Sequence, residues 1–211
     1  MNAPPLTGEQ VQTFSRCMAV GGVAVFPSDT VYGLACDPSQ REAVMRLYAL
    51  KRRSLEAPSA VMFFSLGLAL DALPELGPQT RLALERLLPG PLTVLLNNPA
   101  GRFPLACGDH PATLGLRVPA LGPQLAALGE LNWPILQSSA NKAGEPAPTS
   151  IEQLDPELRS DVDLVLDGGR LSEISSSVLD LRDYEHEGRW ELLREGPLGR
   201  GQIEALLGRK S

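Results

Sequence analysis

The chain has 211 residues, enough for one α/β domain that buries its own core. Its hydrophobic share of 43% and charged share of 21% exclude a fibrous, disordered or membrane-embedded composition. With 19 basic and 25 acidic side chains the net charge is −6, which excludes a general phosphate-coating protein and leaves room only for a local basic patch.

Three capping boxes mark helix starts: Thr7 with Gln10, Ser39 with Glu42, and Ser150 with Gln153. The first opens a helix to about Val20, closed by Gly21-Gly22. The second opens a helix with Ala43, Leu47 and Leu50 on one face, running into Lys51-Arg52-Arg53. Further helices are expected over 80–88, 122–131 and 202–207, and a short one after Ser150. Between them, β-branched and aliphatic runs read as nine strands: 23–26, 30–35, 60–64, 92–96, 113–118, 134–137, 162–166, 177–181 and 190–193. This alternation predicts an α/β fold, one curved mixed sheet with flanking helices, with residues 7–211 as a single domain.

Three scattered cysteines, Cys17, Cys36 and Cys107, cannot frame a disulfide core, and an odd number suits a reducing cytoplasm. The two histidines, His110 and His186, lack partners at metal-ligand spacing, so no protein-held metal site is expected. The N-terminus carries no charged-then-apolar signal pattern. Apolar runs such as 61–64 and 92–96 are far shorter than the ~20 residues of a membrane span.

Polar residues gather at strand ends and on one strand face. Alternation over 113–118 puts Thr113, Gly115 and Arg117 together, as the floor of a polar groove or simply a solvated face. Thr30 and Tyr32 share a face in the same way, and such hydroxyls also serve as plain backbone partners. Lys51 and Arg53 complement the negative end of a helix. If the chain runs extended after Leu50, they also project to one side and suit a polyphosphate. Ser139 and Asn141 follow an apolar strand into a small-residue turn, where ligands of α/β sheets bind; Ser-Asn-Gly is also ordinary turn chemistry. Thr149 and Ser150 precede a helix start, a natural anion site. Ser176 precedes one strand and Arg194 ends another. No GxSxG, GxxxxGK[ST], GxGxxG or HExxH motif is present, so any chemistry must run on positioning and charge stabilisation.

Residues 26–34, FPSDTVYGL, resemble the P-[ST]-[DE]-T-V-Y-G-L signature of the YrdC-like family of threonylcarbamoyl-AMP synthases. Lys51-Arg52-Arg53 resembles its K-x-R motif and Ser139-Ala140-Asn141 its S-x-N motif. Pro89-Gly90-Pro91-Leu92-Thr93, Leu116-Arg117-Val118-Pro119, Ser176-Ser177-Val178-Leu179-Asp180 and Leu193-Arg194-Glu195-Gly196 match further blocks in order. The resemblance implies a twisted mixed sheet with a deep basic cleft. It implies condensation of L-threonine, bicarbonate and ATP, with Mg²⁺, to threonylcarbamoyl-adenylate and pyrophosphate. The product then passes to a tRNA threonylcarbamoyl transferase complex. Carried over, Thr30, Tyr32, Arg117, Ser139 and Ser176 would hold threonine, with Arg117 on its carboxylate. Lys51, Arg53, Thr113, Asn141, Thr149 and Arg194 would surround ATP, with Lys51 and Arg53 catalytic. Arg52 stands where glycine is common in the family, and Met62 where some members carry histidine. The blocks end at Arg194, as in the short form of the family.

Two other readings compete. A basic concavity can seat the backbone of double-stranded RNA or tRNA without adenylate formation, and the net charge of −6 weighs against this. Related modules also occur in the carbamoyl-transfer proteins of hydrogenase assembly, where carbamoyl phosphate replaces bicarbonate.

Overall fold

Strands this short must share their faces to exclude water, and they do so by joining one sheet. The computed structural model describes residues 4–171 and 174–208. In chain order it contains α1 (Gly8–Ala19), β1 (Ala24–Pro27), β2 (Tyr32–Cys36), α2 (Arg41–Leu50), β3 (Ala60–Met62), α3 (Leu66–Ala72), α4 (Pro78–Leu87) and β4 (Leu92–Asn97). There follow β5 (Thr113–Arg117), β6 (Ile135–Ser139), α5 (Pro156–Asp161), β7 (Leu164–Val165), β8 (Ser177–Asp180), α6 (Tyr184–Glu187), β9 (Glu191–Arg194) and α7 (Arg200–Leu207). All nine expected strands are present in one mixed sheet, in the order β7-β1-β2-β6-β3-β5-β4-β8-β9. Pairings β1–β7, β3–β5 and β4–β8 are parallel, and the others are antiparallel. The end of the expected domain, residues 209–211, and residues 172–173 lie outside the described residues.

The helix starts follow local competition for hydrogen bonds. Thr7 and Gln10 form their reciprocal box. Ser39 does not cap α2: its amide and hydroxyl both donate to Asp37 Oδ1, at 2.8 and 2.6 Å, leaving Gln40 as a cap without a side-chain bond. Ser150 fails for a similar reason. Thr149 donates to Gln153 Oε1 through its amide at 2.8 Å and its hydroxyl at 3.1 Å, and only a single 3₁₀ turn, Ile151–Gln153, forms there. The helix expected over 122–131 is a 3₁₀ turn at Ala126–Glu130. Three short helices, α3, α5 and α6, were not expected; α3 is capped by Ser65, whose Oγ accepts from Leu68 N–H at 3.3 Å, and α5 by Asp155, whose Oδ1 accepts from Leu158 N–H at 3.0 Å.

One sheet face is apolar throughout. Val25, Leu34, Val61, Leu92, Val94, Leu114, Leu116, Leu136 and Leu179 form a buried cluster there with Leu47 of α2, Leu84 of α4 and Ile203 of α7. The opposite face divides. Over β1, β2 and β6, Phe14 and Met18 of α1 and Leu128 of the 3₁₀ turn pack on Ala24, Phe26, Ala35, Ile135 and Met62. Toward β3, β5 and β4 the same face presents Ala60, Gly115, Thr93 and Thr113 with one large apolar residue, Leu95, in the registers Ala60↔Gly115 and Gly115↔Leu95.

Close packing at the divide depends on Gly33. A Cβ there would lie 2.9 Å from Gln137 Nε2 and from Phe26 Cε1, and 3.2 Å from the Ser138 carbonyl. Gly33→Ala is expected to destabilise the protein by about 1–3 kcal/mol, read as a lower urea midpoint with an unchanged slope.

Candidate functional site

Arg117 ends β5 on the polar face, and its neighbours define one end of the site. Its Nη2 donates to Asp29 Oδ1 at 2.7 Å and to Thr30 Oγ1 at 3.2 Å. The Arg117 and Asp29 side chains are 4% and 3% exposed. Ser28 Oγ donates to the Val31 carbonyl at 2.7 Å, so its 3.1 Å contact with Thr30 uses the Thr30 proton. Thr30 therefore faces Arg117 as an acceptor. Across the sheet, Arg194 holds the Ser176 carbonyl through Nε at 3.0 Å and Nη2 at 2.8 Å, and touches Ser176 Oγ at 3.3 Å. Ser176 Oγ shares a 3.0 Å hydrogen bond with Thr93 Oγ1 of β4. Burial and the nearby positive charge of Arg194 hold the Arg117 guanidinium below its ordinary range, with Asp29 opposing them. Burial raises the Asp29 carboxyl, with Arg117 pulling it back.

A second cation pair lies at the carboxyl end of β6. The buried Lys51 ammonium donates to the carbonyl oxygens of Ser139 and Asn141, the latter at 2.7 Å, and reaches Asn141 Oδ1 at 3.4 Å. Burial, then the neighbouring Arg53, push it down to about 8 from 10.5. Arg53 Nη1 donates to Ser138 Oγ at 3.1 Å, its Nη2 donates to the Pro58 carbonyl at 2.6 Å, and its guanidinium sits 5.8 Å from the Tyr48 ring centre. The two do not meet through an extended chain. Lys51 stays helical, at φ −80° and ψ −8°, and Arg52 adopts φ 50°. Glycine takes this left-handed conformation without strain, which accounts for glycine at this position in the resembling family. The reversal folds Arg53 back so that its N–H donates to the Tyr48 carbonyl at 3.0 Å.

A cavity of about 340 Å³ is lined by Pro58, Ser59, Ala60, Thr93, Leu95, Gly115 and Thr113, among others. Pro58 links it to Arg53, and Thr93 links it to Ser176 and Arg194. Thr113 and Arg117 stand four residues apart on β5, about 13 Å at the usual strand rise. That span accommodates two reactants end to end. The floor is open because Gly115 has no side chain, and a Cβ there would make ordinary contact with Ala60, at 3.4 Å or more.

Not every expected residue joins this groove. Tyr32 alternates with Gly33 and belongs to the opposite, apolar cluster. Its hydroxyl donates to the Gly169 carbonyl at 2.7 Å and accepts from Gly168 N–H at 3.0 Å. Thr149 is committed to Gln153 and borders a separate depression of about 650 Å³ formed by residues between Glu145 and Pro156. Ser139 and Asn141 stand with Lys51, whereas Arg194 stands with Arg117 and Ser176. Met62 is fully buried under α1. Residues not singled out beforehand include Asp29, Thr93 and Arg182. Arg182 is clamped by Asp180 and donates to Thr113 Oγ1 at 3.3 Å. Asp29 lay inside the matched signature and Thr93 inside the Pro-Gly-Pro-Leu-Thr block, but strand pairing alone reveals their partners. Among the described residues no group of three His, Cys, Asp or Glu side chains is placed to hold a metal ion.

This geometry defines a class: an α/β protein whose twisted mixed sheet carries a polar cavity and several buried cations. A family model described as telomere recombination, covering Sua5, YciO and YrdC, matches residues 16–196. The chain belongs to that family. It is 39% identical over 155 residues to a threonylcarbamoyl-AMP synthase of Xanthomonas campestris pv. campestris (strain B100), covering 72% of this chain and 81% of the relative. A threonylcarbamoyl-AMP synthase of Bacillus subtilis (strain 168) is 29% identical over 201 residues, 94% of this chain and 57% of the relative. P. abyssi Sua5 complexed with L-threonine superposes with a TM-score of 0.84 at 27% identity, over 97% of this chain and 59% of that one. E. coli YciO shares the fold, with a TM-score of 0.74 at 24% identity over 95% of both chains.

Two measurements probe the groove. Gly115→Val is expected to fill the cavity floor and weaken ligand binding at least about tenfold, as lost contacts and a steric block require, with the thermal midpoint within a few degrees of the parent. Calorimetric titration checks it. Lys51 gives a pH signature. Its folded value of about 8 lies below the ordinary 10.5, so between these values the unfolded chain binds more protons. Lys51 therefore adds stability as pH rises across that window, opposed by the buried thiols of Cys17, Cys36 and Cys107, whose raised values take stability away, so Lys51→Met should make the urea midpoint fall more steeply with pH than in the parent.

Proposed function

We infer that this chain is a threonylcarbamoyl-AMP synthase, an enzyme that condenses L-threonine, bicarbonate and ATP to threonylcarbamoyl-adenylate with release of pyrophosphate. The observation that carries this reading is a polar cavity bonded to a cation on either side, to Arg53 through the Pro58 carbonyl and to Arg194 through Thr93 and Ser176. Relatives named for this activity and a Sua5 complexed with L-threonine support it.

The proposed chemistry is nucleotidyl transfer. Threonine's amine attacks the bicarbonate carbon, forming the N–C bond as a C–O bond breaks and water leaves, to give an N-carboxylate. One oxygen of that carbamate attacks the α-phosphorus in line, forming the new O–P bond while the bond to the pyrophosphate leaving group breaks. Both partners are anionic, so the barrier falls mainly through positioning and fixed positive charge. Arg117 takes the threonine carboxylate, with Thr30 and Ser176 on the polar groups beside it. Arg53 stands at the phosphate end with Thr113 and Asn141. Lys51 adds charge there and fixes the exit of β6 through the two carbonyls that it holds. Ser139 joins this end through its carbonyl, and Arg194 the threonine end through Ser176. Tyr32 and Thr149 contribute as supports, by the bonds of their hydroxyls to residues 168–169 and to Gln153.

Lacking a carboxylate or imidazole cluster among the described residues, the groove fits phosphate oxygens rather than a bare metal ion. Magnesium accordingly enters as part of the substrate, MgATP. Residues 7–211 are read as one domain with a basic cleft, working in the cytoplasm. Among the described residues no helix is long and apolar enough to cross a membrane. The labile mixed anhydride needs a transferase that modifies tRNA as its consumer. Weak direct contact with tRNA or double-stranded RNA is compatible with the cleft.

Pyrophosphate release from MgATP should require both L-threonine and bicarbonate. Lys51→Ala and Arg53→Ala should each lower its rate by about a hundredfold or more, the usual scale for a lost transition-state charge contact, with the circular dichroism spectrum unchanged. Threonine-independent turnover, or near-parental rates in both variants, would contradict the assignment.

A further inference from the structure

Among the described residues, Arg117 Nε is the one buried side-chain nitrogen or oxygen without a hydrogen-bond partner. Buried donors are almost always satisfied, so an unspent one beside a groove points to an acceptor brought by a ligand. The guanidinium is nonetheless firmly held. Asp29 and Thr30 both engage Nη2, at 2.7 and 3.2 Å, and neither engages Nε. Asp29 is itself anchored, because its Oδ2 accepts from the Ala120 N–H at 3.0 Å. Two oxygens of one carboxylate thus tie the end of β5 to the loop that follows it. A paired carboxylate also lets a guanidinium remain charged at 4% exposure, where an unpaired one is strongly disfavoured.

We propose that Asp29 is the positioning residue of the amino-acid end. By clamping Nη2 alone, it fixes the plane of Arg117 and leaves the remaining donors of the guanidinium for the carboxylate of the amino-acid substrate. Asp29 touches no reactant in this scheme and acts only through Arg117. The inference rests on the reading of Arg117 as the threonine-carboxylate residue.

Asp29→Asn keeps the shape and removes the charge. The expected result is a KM for L-threonine raised at least about tenfold, the scale of one charge-assisted hydrogen bond. The KM for ATP, and kcat at saturating threonine, should stay within about threefold of the parent. Asp29→Glu restores the charge and should return the threonine KM to within about threefold, since its carboxylate again pairs with the buried guanidinium. If Asp29→Asn fails to fold, Ala120→Pro decides. It deletes the N–H that anchors Oδ2 while keeping both charges, and should raise the threonine KM several-fold with the ATP KM unmoved. A parental threonine KM in the folded variant tested, or threonine and ATP constants rising together, overturns the proposal. Absence of threonine-dependent pyrophosphate release in the parent protein instead overturns the functional reading, and this inference with it.

Discussion

The governing constraint is electrostatic: cations must be held near one another before any anion arrives to neutralise them. Each is held by oxygen acceptors built into the sheet. Arg117 has a carboxylate, Arg194 has a carbonyl and a hydroxyl, and Lys51 has two carbonyls and a side-chain amide. Neutral acceptors stabilise a cation without cancelling its charge, so the field into the groove survives. Only at Arg117 is a full counter-charge present; Lys51, equally buried at 3%, is held by neutral acceptors alone.

The sheet provides this arrangement by alternating its faces. Successive residues of β5 send Leu114 and Leu116 into the apolar cluster and Gly115 and Arg117 into the groove. The same alternation excludes Tyr32, whose neighbour Gly33 faces the covered part of the polar side. The acceptors for Lys51 are backbone carbonyls at the exit of β6, where the sheet ladder ends and leaves them unspent.

Much of this was legible beforehand. Runs of β-branched and aliphatic residues located every strand, because such side chains fill the pleated, buried surface of a sheet. Helix starts were less legible. The boxes at Ser39 and Ser150 lost to nearer partners, Asp37 and the Thr149–Gln153 pair, and sequence spacing does not rank such local competitors. Arg117 bonds Thr30, and Arg194 bonds Ser176, residues the motifs had singled out. Asp29 could not be read out. Nothing in the order of residues says that a carboxylate in a turn will meet a guanidinium 88 positions later.

The turn at Arg52 has a consequence for how the rim is made ready. Most chains would use glycine at φ 50°, because it adopts that conformation freely. A side chain with a Cβ there raises the folded energy by about 1 kcal/mol, yet it also narrows the wandering of the unfolded backbone. Its guanidinium adds an outward tether to Glu157 of α5, at 2.8 Å. The loop carrying Arg53 is therefore stiffened from outside the groove, so less ordering is left for an incoming nucleotide to impose.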